Sequence, residues 1–181
     1  MRILSKATIT SAAVLLVAMT ANAQNAHFVT GPTATLGSNG DDGTPADPKG
    51  SDLVVSWKEA GLGNNVTANY IASANGTATY ACINGGGNHP SASNKETVNG
   101  PVSASGTFTS GKNGSISASL TVEEPGPGAF SCPPGQTFIL AFVAYSNISL
   151  ADISFNDSAA ATPSSLSACF VSGDLATALC Q

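Results

Sequence analysis

Positive charge is almost missing from this chain. Its 181 residues include six Lys and Arg, and the single arginine, Arg2, lies with Lys6 at the extreme N-terminus. Phosphate backbones are bound by clustered Lys and Arg, so a nucleic-acid partner is excluded. A basic helix for a membrane surface is excluded on the same ground. Histidine is scarcer still, with His27 and His89 only. Neither stands near a nucleophile motif, and a Ser-His-Asp site would have to be picked from many serines without a guide. His89, in GGGNHPSASNK, reads as a loop residue rather than a base. There is no C-x2-C pair and no suitably spaced histidine, so zinc is not expected. No other metal, no cofactor and no catalytic residue is expected either.

Long apolar runs are missing as well, with one exception near the start. Residues 12–19 form an apolar stretch of about eight residues, far short of the roughly twenty that span a bilayer. Arg2 and Lys6 precede it and Ala21-Asn22-Ala23 follows, which is the order of a secretory signal peptide over residues 1–23. Cleavage would leave a chain beginning at Gln24, secreted and extracellular. The ending LATALCQ lacks the hydrophobic tail of a lipid anchor, so no membrane attachment is expected. After residue 23 there remain Lys49, Lys58, Lys95 and Lys112 against eleven carboxylates, a formal charge of −7.

Those carboxylates do not assemble into an evident site. Asp41-Asp42 and Glu123-Glu124 are adjacent pairs, whereas glycoside hydrolysis needs two carboxyls facing each other across a cleft. The loop SNGDDGTPAD at 38–47 has oxygen ligands of the kind Ca2+ takes, but not their spacing, and reads as a solvated loop.

Four cysteines are present after the signal: Cys82, Cys132, Cys169 and Cys180. An even count in a secreted chain predicts two disulfides, and four cysteines permit three pairings. Cys82–Cys132 with Cys169–Cys180 is the preferred set. The first closes a long loop, and the second staples the C-terminal tail to itself.

The remaining pattern is that of β-structure rich in Ser, Thr, Asn, Gly and Ala. Residues 101–110 and 115–123 alternate strictly, with Val102, Ala104 and Phe108 on one face and Ile116, Ala118, Leu120 and Val122 on the other strand's. The intervening Gly111-Lys112-Asn113-Gly114 predicts that these two strands form a hairpin. In 66–83 the set Val66, Ala68, Tyr70, Ala72, Ala74, Ala78, Tyr80 and Cys82 falls on even positions, with mostly polar residues between. A turn at Asn75-Gly76 would scatter them over both faces. One unusually long strand, bent at Gly76, keeps them together. Residues 138–145 predict a buried central strand, and 148–155 another with a bulge near Ala151-Asp152. Residues 28–36 and 53–57 supply two more. Trp57 is expected in the core.

The fold class expected is therefore all-β: a two-sheet antiparallel sandwich, immunoglobulin-like, over 24–157. Residues 158–181 are expected to be a linker and a short tail with a helical turn, stapled by its disulfide. Five Asn-x-Ser/Thr triplets occur, at Asn65, Asn75, Asn113, Asn147 and Asn156. In a eukaryotic source, glycans are expected on one or two of them, with Asn75 and Asn113 accessible.

Residues 57–157 carry EAGLG at 59–63, YACINGGG at 80–87, Asn94-Lys95 and FSCPPGQ at 130–136. On these motifs the chain resembles a family of small secreted proteins of unknown function, found in filamentous fungi and more remotely in bacteria. The resemblance implies secretion, a β scaffold and a Cys82–Cys132 pair, but no reaction, and it does not extend over Cys169 and Cys180. The function expected from all of this is a non-enzymatic interaction protein, a fungal effector that acts on a host by binding an extracellular protein. A protein that binds wall polysaccharide, or is built into the wall, is the alternative.

Overall fold

A computed structural model of the chain describes residues 25–37, 42–84 and 94–181. The signal segment 1–23, Asp41, Gly85 to Gly87 of the YACINGGG motif, and His89 lie outside the described residues.

The described residues form eight strands and one short helix, in order: β1 (His27–Gly37), β2 (Asp52–Ala60), β3 (Thr67–Ile83), β4 (Lys95–Thr109), β5 (Ile116–Val122), β6 (Thr137–Asp152), β7 (Asp157–Ala160), β8 (Ser165–Cys169) and α1 (Asp174–Leu179). They build two antiparallel sheets. One has the order β1-β2-β5; the other runs β4-β3-β6, with β7 and β8 both paired to β6. The immunoglobulin-like sandwich expected from the alternating strands is the fold found. Relative to the constant-domain arrangement, the fourth strand lies beside the third instead of the fifth.

That placement corrects the hairpin expected across Gly111-Lys112-Asn113-Gly114. β4 pairs with β3, and β5 pairs with β2, so residues 110–115 carry the chain from one sheet over to the other. The turn is real, with the Gly114 amide bonded to the Gly111 carbonyl at 3.0 Å. The apolar faces of the two strands look at each other across the core, which period-two alternation satisfies as well as side-by-side pairing does.

β3 is the single long strand that its even-numbered apolar set demands. It matches β4 in fifteen consecutive register pairs, from Thr67↔Thr109 to Ala81↔Lys95. Asn75-Gly76 lies mid-strand, opposite Pro101-Gly100. Glycine is required at 76 because a Cβ there would sit 2.8 Å from Pro125 Cγ. The 123–127 segment thus packs directly on the strand.

β6 runs through what the sequence divides into two strands. Its pairing with β3 slips at Ala141 and again between Ser146 and Ser149, where Asn147 has a positive φ of 53°. Each slip reverses side-chain parity. Leu140, then Val143 and Tyr145, then Ile148 and Leu150 consequently all point into the same core. The bulge expected at Ala151-Asp152 is therefore at Asn147, with a second at Ala141, and Ile153 is exposed.

The core between the sheets contains Leu53, Val55, Trp57, Tyr70, Tyr80, Val122, Val143, Tyr145 and Leu150. Trp57, Tyr70 and Phe108 pack ring against ring, with centroids 4.7 to 5.9 Å apart. The three tyrosines are among the largest fully buried side chains, and each hydroxyl finds an acceptor in another element. Tyr70 donates to Glu59 Oε2, Tyr80 to the Pro125 carbonyl and Tyr145 to the Ser51 carbonyl, at 2.7, 2.8 and 2.7 Å. A buried phenol needs such a partner, and here the three join β2 and the 123–127 segment to the larger sheet.

Both disulfides have the preferred pairing, with Cα separations of 5.5 Å for Cys82–Cys132 and 5.7 Å for Cys169–Cys180. The segment expected to be a linker instead carries β7 and β8. Residues beyond it fold back over the outer face of β3 and β6, where Leu179 joins Ala81, Ile139 and Ala141 in a small second core. The helical turn expected in the tail is α1, and it belongs to the domain.

Candidate functional site

The strands divide the molecule into two poles. At one, β2 ends and β3 begins, and residues 110–115 and 153–156 complete the rim. At the other lie residues 42–51, the 123–136 segment and the Cys82–Cys132 bond.

The second pole is concave. A cavity of about 470 Å³ is lined by Asp47, Asp52, Glu123 and Glu124, with Phe138 at its wall and the buried Tyr80 beneath it. The two rings stack, with centroids 5.4 Å apart and planes 19° from parallel. Gly126 separates this cavity from one of about 510 Å³ beside Val102, Ser103 and Thr121, and from one of about 360 Å³ beside Glu96, Val98 and Phe130. Three hollows therefore ring one short segment, EEPGPGAF at 123–130.

The local sequence explains why this segment holds its shape. Pro125 and Pro127 fix two backbone torsions, and Gly128 takes the positive φ of 59° that a side chain would resist. The Phe130 amide closes a turn on the Pro127 carbonyl, and Cys132 is bonded to β3. Opposite, residues 44–47 form a tight turn whose Pro45 carbonyl accepts the Leu140 amide at 2.8 Å.

The acidic loop behaves as a self-bonded turn. Asp42 Oδ1 accepts the Thr44 amide, and the hydrogen bonds from Thr44 hold the Asp42 carboxyl below its usual range. Asp47 accepts the Asp42 amide and the Ser51 hydroxyl. Their oxygens are directed at backbone and side chains of the loop itself. No cluster of three metal-ligating side chains occurs among the described residues.

All five Asn-x-Ser/Thr asparagines are exposed. Asn65, Asn113 and Asn156 sit at the first pole; Asn75 and Asn147 lie on the outer face of the larger sheet, near the β3–β6 slip. The concave pole carries no such triplet among its described residues.

Trp57, Tyr70 and Tyr80, the aromatics that a sugar surface would need outside, are inside. His27 is exposed and bonded to the Asn25 carbonyl. Glu59, which the sequence shows only as the first residue of EAGLG, is fully buried at the first pole. Parity was the available signal, because Glu59 shares the inward face of Leu53, Val55 and Trp57. Burial first, then the charges of Asp152 and Asp157, push its carboxyl up to about 7, against the lowering effect of the Tyr70 hydrogen bond. The Tyr70 phenol is pushed well above its ordinary value by burial first and then by Glu59.

No protein-family model, curated protein or solved structure matches this chain.

Proposed function

We propose that this is a secreted, non-enzymatic interaction protein that binds an extracellular partner through its concave acidic pole, in the manner of a fungal effector acting on a host. The observation that carries the reading is the set of three adjoining hollows around 123–130. They stand on a segment clamped by a disulfide, a tyrosine hydrogen bond and two prolines. Concave, pre-formed surfaces with aromatic and polar lining are where proteins bind ligands. The carboxylates favour a partner that brings basic groups, through steering and complementarity. Two disulfides and the absence of a membrane-spanning helix among the described residues are compatible with an extracellular setting. The resemblance carried by the EAGLG, YACINGGG and FSCPPGQ motifs supports a secreted scaffold of this kind.

A second reading, wall-polysaccharide binding, is favoured by the outer face of β3 and β4. Thr67 with Thr109, Asn69 with Thr107 and Thr77 with Asn99 form a ladder of side-chain hydrogen bonds along a polar face about 33 Å long.

The experiment that separates the two is a pull-down of the disulfide-intact protein on insoluble chitin, cellulose, β-glucan and plant cell wall. The interaction reading expects no sugar-competable retention. Retention that soluble oligosaccharide removes would replace it with the wall reading.

A further inference from the structure

The first pole contains a pair of buried acids with no base acting on them among the described residues. Glu59 is fully buried and Asp152, at the end of β6, is 1 % exposed. One oxygen of each is well supplied. Glu59 Oε2 accepts the Tyr70 hydroxyl at 2.7 Å, and Asp152 Oδ1 accepts the amides of Ser154 and Phe155 at 2.7 and 3.2 Å. The other oxygen of each, Glu59 Oε1 and Asp152 Oδ2, has no hydrogen-bond donor among the described residues. The two carboxyls lie within hydrogen-bonding reach of one another.

Two carboxylates at that range in a dry interior repel strongly. A proton on Glu59 removes that repulsion and turns its carboxyl into a donor toward Asp152, as in other carboxyl pairs that cannot both ionise. Among the described residues no positive charge acts on Glu59, and Lys112 on the neighbouring 110–115 turn is exposed. β3 presents Tyr70, β6 Asp152 and β7 Asp157, while Phe28 of β1 and Ile116 of β5 are the register partners of Glu59. Lys58 is exposed on the opposite face of β2, and His27 is exposed and turned to Asn25.

We propose that Glu59 and Asp152 form a proton-operated latch, which fastens the end of β2 to the β6–β7 turn in acid and releases that pole as the medium approaches neutrality. The turn is positioned to respond. Asp152 supports the Ser154 and Phe155 amides, Ser154 Oγ accepts the Asn69 amide at 2.9 Å, and the Ile153 amide donates to the Asn69 carbonyl at 3.0 Å. Charging Glu59 strains the carboxyl pair to which this short network is tied.

The direction follows from linkage. The Glu59 carboxyl is raised from an ordinary 4.5 to about 7, so the latch contributes fully below pH 4.5 and is lost as pH rises through 7. The protein is thus built to be tightest in an acidic extracellular medium.

The test uses the full secreted chain with both disulfides intact, followed by thermal melts and amide hydrogen exchange between pH 4.5 and 8. Wild type is expected to lose melting temperature from pH 4.5 to 7 and to level off above it. Protection factors at Ile153, Ser154 and Phe155 should fall roughly ten- to a hundredfold over the same range, while those of β4 change little. Glu59→Gln keeps the shape of the neutral acid and supplies an N–H to Asp152, so its profile should be flat. The same pH dependence in Glu59→Gln, or an even loss of protection over the whole sandwich, overturns the latch. Should that variant fail to fold, carbon-13 titration of the wild-type Glu59 carboxyl decides. A midpoint near 7 supports the latch, and one below 5 overturns it.

Discussion

Removing the Cys82–Cys132 bond by the double change Cys82→Ala and Cys132→Ala isolates what holds the concave pole. The bond closes a separation of 50 residues, and loop-closure entropy then assigns it about 4 kcal/mol. The same relation assigns about 3 kcal/mol to Cys169–Cys180, whose separation is 11. For a domain of this size about 4 kcal/mol corresponds to a loss of roughly 8–16 °C in melting temperature. The structure adds a local consequence. Cys132 is the covalent tie between 123–136 and β3, so the segment would then be held by Tyr80, by Pro125 packed over Gly76 and by the Phe130–Phe138 contact, whose centroids lie 6.0 Å apart. Calorimetry at pH 5, where Glu59 is protonated, should show the full drop for this pair. The Cys169→Ala and Cys180→Ala double change should give a smaller one, with fraying confined to the tail around Leu179. A loss below about 3 °C for the first variant, or a larger loss for the second, would refute the entropic reasoning for this fold.

Three further outcomes are expected. Tyr70→Phe removes the one donor to Glu59 Oε2, which should cost about 1–3 kcal/mol in chemical denaturation and move the Glu59 titration above 7, since that hydrogen bond lowers it. Gly76→Val places a Cβ 2.8 Å from Pro125 Cγ and 3.2 Å from Val102 Cγ2, and should cost about 1–3 kcal/mol with displacement of 123–127. Urea unfolding checks the first part, and a change below about 0.5 kcal/mol would show that the proline does not pack there. Expression in a eukaryotic host followed by peptide mapping should place glycans on one or two of the exposed asparagines, leaving the concave pole bare.

The strands of this sandwich could be read locally because one face of each is buried. The even-numbered set from Ala68 to Cys82 was enough to reject Asn75-Gly76 as a turn and to put Tyr70 and Tyr80 on one face with the alanines, while LVVSW put Trp57 in the core. Pairing was harder. Gly111-Lys112-Asn113-Gly114 announces a reversal, but whether the two arms lie side by side or face each other depends on β2 and β3, which are remote in sequence. The β6 bulges escaped for a related reason. Asn147 tolerates the positive φ that shifts the register, yet nothing nearby fixes where the slip occurs until β3 is beside it. The tail was read as a linker because β7 and β8 are short and built of small residues, stable only as additions to β6. At the concave pole, Glu123-Glu124 was visible as an adjacent pair with no purpose. Its neighbours across the hollow, Asp47 and Asp52, come from the other side of the domain. Glu59 stood in plain sight on an inward parity, but its opposite number, Asp152, sits where the sequence suggested a bulge and keeps the inward parity of Ile148 and Leu150 because the slip falls at Asn147 instead.

The most direct test of the binding account compares labelled wild-type protein with two charge-matched variants on intact host-cell surfaces. Glu96→Gln with Glu123→Gln neutralises the exposed rim of the concave pole; Asp157→Asn with Asp174→Asn removes the same charge elsewhere. The account predicts saturable binding that weakens at least tenfold in the first variant, strengthens at low salt and is retained in the second. Equal binding by all three proteins, or binding that soluble wall oligosaccharides abolish, would contradict it.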